Sequence, residues 1–233
     1  MLAIQKDIRK KKDPKSAKIL QGFFKTGPGE YGEGDIFLGL SVPESRAIAK
    51  KYFELSLSDI QILLNSKIHE DRLVGLLILV QKVSKEKDDK KIERIAKFYI
   101  KNAKRVNNWD LVDLSTIQIL GPYFQNRNRA PLYKLARSKN LWERRISIIT
   151  TFYFIRNGES QETLKMVKLH LKDEHDLIHK AAGWMLREVG KRVDQKALLI
   201  FLDKHATIMP RTMLRYAIEH LPASKRKYYL KLK

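Results

Sequence analysis

Between the 11 glycines and 7 prolines of this 233-residue chain, apolar residues recur three and four positions apart, and no stretch alternates convincingly every second residue. That spacing draws one apolar stripe along a helix and leaves nothing to build a sheet. Ile60, Leu63 and Leu64 follow Ser58, a residue type that caps helix starts, and Leu76, Leu77 and Val80 continue the stripe in the next segment. Further helices are expected over 92–103, 109–120, 130–138, 141–156, 160–171, 175–190, 195–204, 210–220 and 223–231. With 43% hydrophobic and 31% charged residues, the chain is globular and long enough to bury one extended core or two small ones.

A second regularity lies above the helical one. A basic residue precedes small and apolar positions at Arg72 (Leu73-Val74-Gly75), Arg145 (Ile146-Ser147-Ile148), Lys180 (Ala181-Ala182-Gly183) and Arg215 (Tyr216-Ala217-Ile218). The last three are 35 residues apart, and the member missing between Arg72 and Arg145 falls beside Trp109-Asp110-Leu111-Val112-Asp113. A two-helix unit at this period is that of HEAT-like solenoids, where each pair buries its apolar face by stacking on its neighbours. The expected fold is therefore all-α: a single domain over residues 1–233, a C-shaped α–α superhelix, with an irregular helical bundle as the alternative. In such a stack the second helix of each pair lines the concave face. Trp109 and Asp113, Arg145 and Ile149, Lys180 and Trp184, and Arg215 and Glu219 then take equivalent i, i+4 slots. The same residues have an ordinary use, since tryptophans pack cores and an aspartate near an arginine forms a salt bridge.

Charge narrows the partner. The 47 Lys and Arg exceed the 26 Asp and Glu by 21, an imbalance that favours a polyanion whose condensed counterions are released on binding. The cations are spread over many helices: Lys101, Lys104 and Arg105; Arg127 and Arg129; Arg144 and Arg145; Arg187, Lys191 and Arg192; Arg211 and Arg215; Lys225 to Lys227. A track that long suits a duplex backbone better than a small ligand, although a generally solvated basic surface has the same composition. No helix-turn-helix, zinc-finger or RRM pattern is present, so the duplex is expected to be held by shape and charge. The longest apolar run, Leu73 to Val80, is too short for a bilayer, which takes about 20 residues. No apolar h-region of a secretory signal follows Met1, and zero cysteines exclude disulfides, thiolate metal sites and a cysteine nucleophile. The expectation is a monomer in a reducing cytoplasm, at the nucleoid when bound to DNA, with no membrane contact.

Three ordered segments carry a resemblance over nearly the whole chain. Asn108-Trp109-Asp110 through Val112-Asp113, Leu141-Trp142-Glu143-Arg144-Arg145, and Gly183-Trp184-Met185-Leu186-Arg187-Glu188 are similar to the signature segments of the HEAT-like DNA alkylation-repair glycosylases of the AlkD type. The resemblance implies a C-shaped stack of helical repeats that excises cationic N3- and N7-alkylated purines from duplex DNA. It implies Asp113 as the catalytic carboxylate, Trp109 and Trp184 as aromatic walls at the lesion nucleotide, and Arg145 and Arg187 as phosphate contacts. Arg144, Lys180 and Arg215 join these as candidate DNA-binding cations. No metal or other cofactor is implied, only water.

The chemistry suits the residues. An alkylated purine already carries positive charge, so its glycosidic bond tends to break through a sugar cation and needs little acid catalysis. A fixed carboxylate stabilises that oxocarbenium charge and orients water, while tryptophan faces present π density to a cation. The resemblance also implies contact through backbone and sugar, without a base-enclosing pocket or wedge, and uncharged lesions should then be poor substrates. The glycine-rich segment 26–34 lacks the Lys-Ser/Thr ending of a phosphate-binding loop and is expected to be a flexible connection touching DNA. Phe23, Phe24 and Tyr31 are the candidates for the aromatic that the family sends from its N-terminal helices toward the lesion. His170, His175 and His179 lack the glutamate of a zinc-protease motif and are expected as surface or capping residues. The rival function is a non-catalytic HEAT-like scaffold that binds branched or damaged DNA, or a protein partner. A carboxylate among phosphates, at Asp113, would serve such a scaffold poorly.

Overall fold

The computed structural model describes residues 1–232, and among them the regular structure is helical, with one isolated parallel bridge between Ile36 and Ile68. Two compact units divide the chain. Met1–Ile119 forms the first and the second begins at Leu120, inside the eighth α-helix.

The first unit comprises α1 (Ala3–Lys10), α2 (Pro14–Phe23), α3 (Val42–Lys51), α4 (Leu57–Leu64), α5 (His69–Lys85), α6 (Asp89–Lys101), a 3-10 turn (Ala103–Arg105) and α7 (Trp109–Asp113). Local sequence sets the starts. Ser41 and Glu44 form a capping box at α3, and Asp88 caps α6. At α4 the cap is Ser56 rather than the expected Ser58, its Oγ accepting from Asp59 N at 3.1 Å. The centre is α5, which is apolar on all sides from Leu73 to Leu79 and packs against α3 and α4.

Four consecutive polar residues open α5, and all four are buried: His69, Glu70, Asp71 and Arg72 are each no more than 3% exposed. Asp71 accepts from Arg9 (2.9 Å) and Gln5 (3.1 Å) of α1, and from Ser66. Glu70 accepts the backbone N–H groups of Leu38, Gly39 and Leu40 at 2.8 to 3.3 Å. Gly39 is required there, because its φ is +98° and a Cβ would lie 2.3 Å from the carbonyl oxygen of Asp13. The first turn of α5 thereby fixes both α1 and the segment leading into α3.

The second unit contains α9 (Ala130–Ala136), α10 (Leu141–Arg156), α11 (Gln161–Leu169), α12 (Asp176–Arg192), α13 (Gln195–His205), α14 (Arg211–Ala217) and α15 (Ala223–Lys231), preceded by α8 (Thr116–Phe124). The repeat is visible as structure. Helices α10, α12 and α14 begin 35 residues apart, so Arg145, Lys180 and Arg215 stand at the same position in each. Helix α12 packs between α10 and α14, with α9, α11 and α13 as the first helices of the pairs. The small residues following Lys180 serve that packing, since a Cβ on Gly183 would meet the Met213 carbonyl oxygen at 2.4 Å.

One expected helix is two. The segment 109–120 breaks between α7 and α8 because Ser115 Oγ, not its amide, donates to the Leu111 carbonyl (2.5 Å), while Ser115 N–H turns back to Val112 O (3.2 Å). Tyr99 holds the hydroxyl from the other side at 2.9 Å.

Candidate functional site

Helix α7 has five residues, and its i, i+4 pair is Trp109 and Asp113. Both are half-buried on one helix face, as the spacing predicts. Asn108 begins the helix, its Oδ1 accepting from Trp109 N at 2.7 Å. The indole of Trp109 is held on several sides. Phe24 stacks on it with centroids 5.0 Å apart, Phe23 meets it edge-on at 5.8 Å, and Nε1–H donates to the Tyr31 hydroxyl at 3.2 Å. The three N-terminal aromatics named from sequence therefore converge on Trp109 itself. Phe24 is buried, whereas Phe23 is 61% exposed and offers its ring to solvent beside the indole. Asp113 adds negative charge next to the fully buried Tyr99, whose phenol is pushed well above its ordinary value by burial first and by Asp113 in addition.

The glycine-rich segment is an ordered turn rather than a loose connection. Glu30 and Glu33 accept from the N–H groups of Gly27 (2.8 Å) and Gly29 (3.0 Å), and Gly32 N–H donates to Lys25 O (3.0 Å). This turn carries Tyr31 to Trp109 and ends at Asp35, which sequence reasoning passed over. Asp35 is 4% exposed and accepts from Arg72 (2.5 Å), from Asn108 (3.4 Å) and from His69 Nδ1 (3.1 Å). The other ring nitrogen of His69 faces Asp110 at 2.8 Å. Burial pushes the Asp35 carboxyl up, but His69 and Arg72 outweigh it and hold the group below the ordinary carboxylate value. His69 also stacks on Phe37 at 4.2 Å, and Phe37 on Phe24 at 4.9 Å, so a continuous pile of rings runs from His69 to Trp109. Beside it lies a cavity of about 290 Å³, lined by Ile19 and Leu20 of α2 and by His69, Glu70 and Asp110 among others. The signal missed in the sequence was the charged tetrad His69-Glu70-Asp71-Arg72 immediately before the longest apolar run.

In the second unit, Trp184 of α12 is half-buried with its ring tilted on Phe152 at 5.6 Å. Arg145 is only 5% exposed, and its Nη1 donates to the Leu177 carbonyl at 2.6 Å. Arg144 pairs with Asp173 at 2.6 Å, Lys180 with Asp176 at 2.7 Å, and Arg187 with Glu219. Arg215 is exposed. Four of the five candidate cations thus already have protein partners, which fix the direction in which their remaining N–H groups point. Of the histidines, His175 caps α12 by accepting from Leu177 N at 3.1 Å, and His179 bonds the Asp173 carbonyl. His170 departs from the surface or capping expectation: it is 1% exposed, between Ser147 and Asp173. Among the described residues no cluster of His, Cys, Asp or Glu is arranged to hold a metal ion, and no helix is long and apolar enough to cross a membrane.

A family model described as "DNA alkylation repair enzyme" matches residues 4–221. Among solved structures, the predicted DNA alkylation repair enzyme from Enterococcus faecalis superposes with a TM-score of 0.69, covering 91% of this chain and 97% of that one at 17% identity, a likeness of fold. No curated protein sequence matches the chain.

Proposed function

The chain belongs to the DNA alkylation repair enzyme family, and from that premise we propose that it is a DNA glycosylase hydrolysing the N-glycosidic bond of cationic N3- and N7-alkylated purines in duplex DNA. The observation that carries the proposal is the pairing of Trp109 and Asp113 on one face of α7, set among Phe23, Phe24 and Tyr31. A carboxylate beside an aromatic surface opposes a developing sugar cation, and both interactions strengthen as charge moves from base to sugar. Asp113 stabilises the oxocarbenium ion and orients the attacking water. Trp109 offers its π face while Tyr31 holds the indole N–H.

For Trp184, tilted on Phe152 within its own unit, we propose the role of aromatic surface that the resemblance implies. Arg145, Arg144, Arg187, Lys180 and Arg215 serve as phosphate contacts. The internal partners of Arg144, Lys180 and Arg187 preorganise those side chains and leave other N–H donors for DNA. Water is the only co-reactant and an abasic site the product. The chain acts as a monomer, in the cytoplasm.

The test is release of base from a duplex carrying one N7-methylguanine, with native protein, Asp113→Asn and no protein. Asp113→Asn should nearly abolish enzyme-dependent release while duplex affinity stays equal or rises, because a charge that repels phosphates is removed. Native rates from the variant would remove Asp113 from the chemistry. Tight, salt-sensitive binding without release of either N7-methylguanine or N3-methyladenine would favour the non-catalytic scaffold.

A further inference from the structure

His69 lies at the junction of three segments. It is the first residue of α5, its Nδ1 faces Asp35 at the end of the glycine-rich turn, and its Nε2 faces Asp110 of α7. The ring is 2% exposed and each of its nitrogens faces a carboxylate oxygen. Asp35 is also bonded by Arg72 and Asn108, and Asp110 Oδ1 accepts from Leu111 N at 2.7 Å. Ionised carboxylates only accept, and a neutral imidazole has one N–H, so both contacts can be hydrogen bonds only when both ring nitrogens carry protons.

Asp110 follows Trp109 by one residue, about 100° around a helix. It therefore points to α5 when Trp109 and Asp113 face outward together. Leu111 and Val112 pack fully buried on the inner side of α7, and the Asp110–His69 bond adds the polar contact that fixes its first turn to α5. The same imidazolium holds Asp35, and with it the turn that brings Tyr31 onto the Trp109 indole. We infer that His69 is a positioning residue: as an imidazolium shared between Asp35 and Asp110 it locks α7 and the glycine-rich turn together, presenting Trp109 and Asp113, and loss of its proton releases them. The activity part of this inference rests on the glycosylase proposal; the lock does not.

The direction with pH follows from the groups that face the ring. Burial pushes the imidazole pKa down, Asp110 and Asp35 push it up more strongly, Arg72 opposes them, and the net result lies above the ordinary histidine value. A raised folded-state pKa means the lock is complete below the unfolded-state value and is lost as pH rises through the folded-state value. Excision should then have an alkaline limb that belongs to His69.

The experiment has a structural arm and a kinetic arm. In ¹⁵N-labelled native protein followed from pH 6 upward, both His69 ring nitrogens should be protonated at pH values where a free imidazole is neutral, and the Trp109 indole N–H resonance should shift in the same step. A neutral His69 at neutral pH, or a Trp109 signal indifferent to its titration, overturns the lock. In single-turnover release of N7-methylguanine, His69→Gln should lower the rate at saturating protein roughly ten- to hundredfold, leave duplex affinity unchanged and abolish the alkaline limb. Asp110→Asn keeps an acceptor but removes one charge, so it should move that limb to lower pH. A His69→Gln variant that loses affinity instead of rate, or an unmoved limb in Asp110→Asn, overturns the positioning role. If native protein releases no base, the glycosylase proposal fails while the resonance arm still decides the lock.

Discussion

Glu70 shows how much of the first unit depends on single buried charges. Its carboxylate accepts three backbone N–H groups from Leu38, Gly39 and Leu40, and an acceptor with four lone pairs is what three converging donors require. In Glu70→Gln one oxygen becomes a donor facing donors, so unfolding should become easier by about 2–3 kcal/mol. Urea denaturation of the native and variant proteins measures this, and a change within about 0.5 kcal/mol would mean that the turn is held by other contacts. None of this was visible in the chain. His69-Glu70-Asp71-Arg72 reads as the polar start of an apolar helix, and only the approach of α1, the glycine-rich turn and α7 buries it. Trp109, Asp113 and the three N-terminal aromatics were visible as candidates, because spacing on one short helix is a local property and the resemblance carried the rest.

At the scale of elements, spacing predicted most of the helices. The segment 141–156 coincides with α10 and 223–231 with α15. The 35-residue interval between basic residues is also the interval between the starts of α10, α12 and α14. The break at Ser115 was missed because a serine inside an apolar stripe is compatible with an unbroken helix; the partnership of its hydroxyl with Tyr99 and Leu111 decides otherwise. The small residues of the repeat, read as part of a basic pattern, serve helix packing. Gly183→Ala places a Cβ where the Met213 carbonyl oxygen is 2.4 Å away and the Tyr216 Cβ 2.6 Å away, so α14 must shift. Backbone cannot retreat as a flexible side chain does, and the variant should lose about 1–3 kcal/mol despite the better helix propensity of alanine. A melting temperature equal to or above that of the native protein would show that the contact between α12 and α14 has slack.

For the molecule as a whole, the net charge of +21 makes salt the most informative variable. The logarithm of duplex affinity should fall linearly with the logarithm of salt concentration, with a slope of about −0.9 per phosphate neutralised, and with little dependence on base sequence. A titration of labelled duplexes of two unrelated sequences checks both, and a flat salt response would remove DNA as the ligand. Composition overstates the number of free cations, however. Arg144, Lys180, Arg187 and Arg129 each have a carboxylate partner, and Arg72 is buried against Asp35, so the electrostatic footprint is smaller than the count of basic residues. The sequence by itself determined the all-helical class, the repeat, the excess positive charge and the face shared by Trp109 and Asp113. Each of these depends on composition or on residues a few positions apart, and backbone geometry converts such spacing directly into direction. Only the tertiary structure decided that Tyr31 and Phe24 clasp Trp109 and that His69 joins Asp35 to Asp110 across separations of 34 and 41 residues. Those partners meet because burial leaves a charged group few others to choose from, and burial is settled by the packing of whole helices rather than by any local pattern.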